Sequence, residues 1–162
     1  MLIDSGERQE FATGAVRDIQ KGKGRCDLLP LDVIAEISQY DRRSIFNSIS
    51  AFQETGNYGY LWTTFCEFVY KVWYNPEKSD TISTALLEVA IQFEEGAKKY
   101  GDNNWRKGIP ASRYIDSAVR HYLKWSRGDK DEPHDRACAW NLLACMWTCK
   151  NKPELNDYAK TQ

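Results

Sequence analysis

From Thr81 to Tyr100, apolar side chains return at Ile82, Ala85, Leu86, Val89, Phe93, Ala97 and Tyr100, and Gly101 ends the run. That three-and-four spacing lines one side of an α-helix. Ile115, Ala118, Val119 and Tyr122 mark a second helix, from Ser112 to Arg127, that stops at Gly128. "HDRACAWNLLACMWTC" is apolar on nearly every side, which predicts a buried last helix from Pro133 to about Cys149. Three candidates lie upstream. "PLDVIAEISQY" opens a short helix at Pro30 or Leu31, where proline is tolerated. "DRRSIFNSISAFQETG" has Gly56 as its C-terminal stop, and "YLWTTFCEFVYKVWYNP" is ended by Asn75 and Pro76. Residues 1–29 lack a helical period and carry Gly14, Gly22 and Gly24, so they read as an extended arm. No alternating strand pattern and no internal repeat is found. The expected fold is all-α: one domain over residues 1–162, a bundle of about five to six helices with an extended N-terminal arm.

A chain of 162 residues is long enough to bury a real core as one domain. Its 22 basic and 23 acidic residues give a net charge of -1. A long nucleic-acid track demands a basic excess, so any bound anion is expected to be small. No apolar stretch reaches bilayer length, and "MLIDSGERQEF" has no signal-like apolar run. Five cysteines, an odd number, argue for free thiols in a reducing cytoplasm. Cys138, Cys145 and Cys149 share a helical strip. A metal site there is conceivable, but buried apolar fillers are the favoured reading.

The segment "GAKKYGDNNWRKGIP" is cationic and aromatic at once, with Lys98, Lys99, Arg106 and Lys107 beside Tyr100 and Trp105. On the helix before it, Glu88, Gln92, Glu95 and Lys99 share one strip at the border of the apolar stripe. Asp116 stands one turn before Arg120, with His121 on the opposite flank. His134 and Asn141 fall on one strip of the last helix, and a buried Asn141 needs a specific partner. Glu132-x-x-Asp135 places two carboxylates one turn apart at that helix's start. Each feature alone has a plainer explanation: a solvated acidic edge, a surface ion pair, acids drawn to a helix N-terminus, a tryptophan anchoring a loop. Taken together, three helices bring acids toward a core edge, which suits a divalent ion. Lys98, Lys99, Arg106, Lys107, Arg113 and Arg120 surround the same stretch. Cations beside carboxylates suit a metal-bound polyphosphate, and Tyr100 or Trp105 offers a face for a base. The expected ligand is a nucleoside triphosphate.

"GAVRDIQKGKGRCDLLP", "LLEVAIQFEEGAKKYGDNNWRKGIPASRYIDSAVRHYLKWSRGD" and "DEPHDRACAWNLL" resemble the dATP/dGTP diphosphohydrolase family, grouped with the MazG-like all-α pyrophosphohydrolases. Many of its members are encoded by phages or prophages. The resemblance spans roughly residues 11–37 and 82–152, and residues 38–81 carry no matched motif. It implies hydrolysis of a purine dNTP to dNMP and pyrophosphate with Mg2+ or Mn2+, in the cytoplasm of the host if the gene is a phage's. It also implies metal ligands on an E-x-x-E and an E-x-x-D helix. Glu132 and Asp135 fit the second pattern. For the first, the available acids are Glu88, Glu94 and Glu95, of which Glu88 and Glu95 suit the helix face. The expected metal ligands are therefore Glu88, Glu95, Asp116 and Asp135. Lys98, Arg113 and Arg120 neutralise phosphate charge, and Glu132 or His134 orients the water. Lys99, Tyr100, Asn104, Trp105, Lys107 and Asn141 complete the expected substrate contacts. In the arm, Lys21, Lys23 and Arg25 reach the triphosphate and Asp27 bonds a sugar or base, although no P-loop pattern is present.

Two other classes stay open. His134–Asp135, preceded by His121, suggests an HD-type phosphohydrolase, but the chain has only two histidines. A non-catalytic nucleotide-sensing or partner-binding helical module is the other. Relatives of this kind are commonly dimers or tetramers, with no long nucleic acid and no membrane as partner. The segment 58–74, with Trp62, Phe65, Phe68, Tyr70 and Trp73, offers an apolar face for a second copy or for the monomer's own core.

Overall fold

Helix stops and caps set the boundaries of five helices. A computed structural model describes residues 7–18, 28–29, 45–77 and 80–159. Among these, α1 is Phe46–Thr55, α2 Gly59–Trp73, α3 Thr81–Tyr100, α4 Ala111–Arg127 and α5 His134–Asn151. Asp80 caps α3 by accepting a 3.0 Å hydrogen bond from the Ser83 amide. Gly56 ends α1 at φ +66, and an added Cβ there would lie 2.5 Å from the Ala159 Cα. Only glycine meets both demands. The helix expected from Pro30 or Leu31, Cys26 and the arm residues Lys21, Lys23, Arg25 and Asp27 lie outside the described residues.

The core is built around the α4–α5 pair. Tyr114, Ile115, Ala118, Val119 and Tyr122 of α4 are buried against Cys138, Ala139, Leu142, Cys145 and Cys149 of α5. Alanines and cysteines on α5 let the two backbones approach, so these thiols serve as small apolar fillers. They are free, and burial pushes the Cys138 thiol far up. Phe46, Ile49 and Phe52 of α1 and Leu61, Phe65, Phe68 and Val69 of α2 close the other side. Phe68 meets Trp125 edge-on at 5.4 Å. The aromatic segment 58–74 is thus divided: Phe65 and Phe68 are buried, while Trp62 stays 62% exposed and Tyr70 is exposed too. No helix of the described residues is long and apolar enough to cross a membrane.

All-α describes the body of the chain. Within the arm, expected to be extended, lies an antiparallel hairpin of β1 (Arg8–Glu10) and β2 (Val16–Asp18). Arg8 pairs with Asp18 and Gln9 with Arg17. Three-residue strands are too short to show an alternation in sequence, and their support comes from elsewhere in the chain. Asn104 does what a neighbouring strand would do. Its Nδ2 donates to the Val16 carbonyl at 3.1 Å, and its Oδ1 accepts from the Val16 amide at 3.3 Å. Lys107 donates to the Gly14 carbonyl at 3.0 Å and Thr13 to the Gly108 carbonyl at 2.6 Å.

Candidate functional site

Hairpin, loop and helices enclose a cavity of about 900 Å3. That volume lies in the range of small-molecule sites. Its lining comes from α4 and α5, the second half of α3, β2 and the 101–110 loop. The loop holds its shape through Asn103 at φ 58 and a single 3-10 turn, Asn104–Lys107. Phe93 and Trp105 pack at 5.1 Å, Trp105 and Trp147 edge-on at 5.0 Å, and Phe93 and Trp140 at 5.8 Å. This aromatic cluster anchors the loop and leaves Phe93, Trp105 and Trp140 on the cavity wall.

Three arginines line the same cavity. Arg17, from β2, reaches inward past the Tyr114 ring, and its Nη2 donates to the Asn141 Oδ1 at 2.7 Å. Asn141 in turn donates to the Ala137 carbonyl at 2.8 Å, one turn earlier on α5. Burial pushes the Arg17 guanidinium below its ordinary value, and Arg120 and Arg113 add to that push. The Arg17 Nη1 is buried and makes no hydrogen bond among the described residues. Arg113 reaches Gln9 at 3.2 Å, and Arg120 is paired with Asp116, which is only 2% exposed. Buried cations with spare donors are costly unless an anion completes them. Gln92 Oε1 and Trp140 Nε1, on cavity-lining residues, are also buried without a hydrogen-bond partner among the described residues.

Two histidines meet between α4 and the start of α5, and of the two His121 lines the cavity. His121 Nδ1 and His134 Nδ1 are 3.0 Å apart, and Glu132 Oε1 lies 3.6 Å from the first and 3.3 Å from the second. The other His134 nitrogen, Nε2, contacts Asp131 Oδ1 at 2.8 Å, and Asp131 is also bonded to Lys124 at 2.9 Å. Lys124 first and His134 second hold the Asp131 carboxyl well below the usual range. Burial first, then His134 and Arg120, push the His121 ring down to about 3.

The family model for dATP/dGTP diphosphohydrolase, N-terminal, matches residues 77–158, which is just over half of the chain. The chain belongs to the dATP/dGTP diphosphohydrolase family. No curated protein and no solved structure matches it. The family range contains α3, the loop, α4 and α5, and it stops short of the hairpin that delivers Arg17.

Among the residues expected from sequence, Glu95, Lys99, Tyr100, Asn104, Trp105, Arg113, Asp116, Arg120, Glu132 and Asn141 line the cavity. Several of them have partners of their own. Lys99 and the Tyr100 hydroxyl both bond Asp18 at 2.9 Å, and Asn104 is spent on β2. Lys98 is 70% exposed and paired with Glu94, and it does not line the cavity; nor does Lys107. The four carboxylates expected to hold Mg2+ do not gather. Glu95 and Glu88 approach Arg136 at 2.9 and 3.8 Å, Asp116 is held by Arg120, and Asp135 accepts from the Arg136 amide. Mg2+ requires several oxygen ligands around one point, and among the described residues this quartet does not supply that geometry. The groups whose ligand atoms do converge are His121, Glu132 and His134, and Asp129, Asp131 and His134. Sequence reasoning passed over Arg17, Asp18 and Asp131. The "AVRD" stretch carries an arginine between a valine and an aspartate, a strand-like signal confined to three residues.

Proposed function

We propose that this chain hydrolyses a purine deoxynucleoside triphosphate to the monophosphate and pyrophosphate, by attack of water and cleavage of the bond between the α- and β-phosphates. The observation that carries the reading is the meeting of Arg17, Arg113 and Arg120 on one cavity that Phe93, Trp105 and Trp140 also line. Guanidinium groups match phosphate oxygens in charge and in their forked geometry. Arg17 is the best placed, because Asn141 fixes one side of its fork and leaves Nη1 for the ligand. The Phe93 ring is inclined 57° to Trp105 and 64° to Trp140, so each ring offers a separate apolar face for a purine to stack on. Gln92 Oε1 is an acceptor for a purine amino group, and Trp140 Nε1 a donor to a ring nitrogen.

The reaction places new negative charge on the leaving pyrophosphate, and Arg113 and Arg120 neutralise it in a site partly closed to water. A divalent ion, when bound, supplies a further positive charge and lowers the pKa of its water. Membership in the family supports the reaction class. A panel of dNTPs and NTPs, incubated with and without Mg2+ and Mn2+ and resolved by chromatography, tests the whole reading. dATP or dGTP should give dNMP and pyrophosphate in one step. Appearance of dNDP with orthophosphate, or of nucleoside with triphosphate, overturns it.

A further inference from the structure

The three atoms His121 Nδ1, Glu132 Oε1 and His134 Nδ1 form a triangle with edges of 3.0, 3.3 and 3.6 Å. Only the shortest is a hydrogen bond; the other two are too long to be good ones. They match, however, the spacing of donors around one ion. With bonds of about 2.1 Å, neighbouring ligands stand about 3.0 Å apart in an octahedron and about 3.4 Å in a tetrahedron. The proton inventory points the same way. His134 Nε2 faces Asp131 Oδ1 at 2.8 Å, and the neutral tautomer that donates there has its lone pair on Nδ1. In that tautomer Nδ1 and the Glu132 carboxylate oxygen, 3.3 Å apart, are both acceptors. A cation between them removes the conflict.

We infer that His121, Glu132 and His134 form a binding site for a divalent transition-metal ion, on the side of the cavity formed by α4 and the start of α5. Two imidazole nitrogens and one carboxylate suit Mn2+, Co2+ or Zn2+ better than Mg2+, which selects oxygen. Three protein ligands leave further coordination positions open, as catalytic metal sites do. Asp131 is the positioning residue: a carboxylate on the remote nitrogen of a ligating histidine fixes its tautomer and orientation. The neighbouring group of Asp129, Asp131 and His134 is the poorer candidate, because Lys124 bonds Asp131 at 2.9 Å and Arg127 bonds Asp129, whereas Lys124 stands 3.9 Å from Glu132 Oε1. Asp135 is absent from both groups, so the pairing differs from an HD dipeptide acting together. Binding of the ion stands on this geometry alone; its use in hydrolysis rests on the function proposed above.

The test uses the full chain, stripped with chelator and titrated with Co2+ in the absence of nucleotide. Visible absorption at one equivalent, stronger than that of the hydrated ion, is the expected result. Calorimetry should give Mn2+ and Zn2+ tighter than Mg2+ by 10-fold or more. His121→Asn and Glu132→Gln should each weaken Co2+ by about 10-fold or more, and Asp131→Asn by about 10- to 100-fold with a shift of the absorption bands. Glu67→Gln, on the exposed side of α2, should change nothing. His134 is buried at the start of α5, so it is left intact and folding is checked by circular dichroism in every variant. A spectrum equal to that of hydrated Co2+, or one unchanged in folded His121→Asn, overturns the inference. If no such ion binds but dNTP is cleaved with Mg2+, this site alone falls. If Co2+ binds as described and no nucleotide is cleaved, the proposed function falls and the site stands.

Discussion

Arg17 and Asn141 are 124 positions apart in the chain, and their side chains meet at 2.7 Å. The contact joins the hairpin to the last helix and leaves Arg17 Nη1 without a hydrogen-bond partner among the described residues. Removing the acceptor frees Arg17 to turn. Asn141→Ala should weaken a non-hydrolysable dNTP analogue by about 10-fold, and should cost about 1–3 kcal/mol of stability through the orphaned donor. Calorimetric titration and chemical denaturation measure the two effects. Arg17→Ala should weaken the triphosphate far more than the deoxynucleoside, since its partner is charge.

Lys98 and Trp105 belong to one short segment but differ in placement. Lys98 points to solvent and is paired with Glu94, so Lys98→Ala should change triphosphate affinity by less than about twofold, as surface pairs contribute little. Trp105 holds the loop against Phe93 and Trp147 and also faces the cavity. Trp105→Ala should lower the melting temperature and weaken dNTP and dNMP by similar factors, with stacking contributing about 1–3 kcal/mol. Unequal losses for the two nucleotides would assign the tryptophan to phosphate positioning instead.

Gln92 tests the purine. Its unpartnered Oε1 is matched by an amino group, which inosine-type bases lack. Wild type should prefer an amino-bearing purine over deoxyinosine triphosphate, and Gln92→Leu should erase that preference while sparing overall folding. Competition assays with the two nucleotides read it directly.

Stability should depend on pH through His121 in chelator-treated protein. The folded ring is pushed down to about 3, while the unfolded ring titrates near 6.5. Below pH 6.5 the unfolded chain therefore binds a proton that the folded chain refuses, and stability falls as pH falls. The slope approaches about 1.4 kcal/mol per pH unit between pH 6 and 5. Urea melts across this range should show it, and His121→Asn should flatten it.

The helical body was legible because long periodic stripes depend only on near neighbours. Val89 and Phe93, or Ile115 and Val119, advertise one buried face whatever packs on it. Asn141 was legible as a buried polar group needing a partner, but its partner was not, since nothing local to "AVRD" points across 124 positions. His121 was read on the flank of its helix opposite Asp116 and Arg120, and His134 on the Asn141 strip of the last helix. The turn 128–133 brings them ring to ring, and that depends on how α4 and α5 pack. The acids show the same limit: Glu88 and Glu95 lie on one helix face as expected, and Arg136, from another helix, stands beside them.

The hairpin carrying Arg17 has strands of three residues each, and an isolated ribbon of that size does not persist in water. Its borrowed third strand is the amide of Asn104, which takes position only after α3 and α4 have fixed the loop between them. The hairpin should therefore form late, once the helices and the loop between them are in place. A refolding chain should be helical by circular dichroism before Arg17 reaches the cavity. Affinity for triphosphate should appear after helicity in a refolding time course.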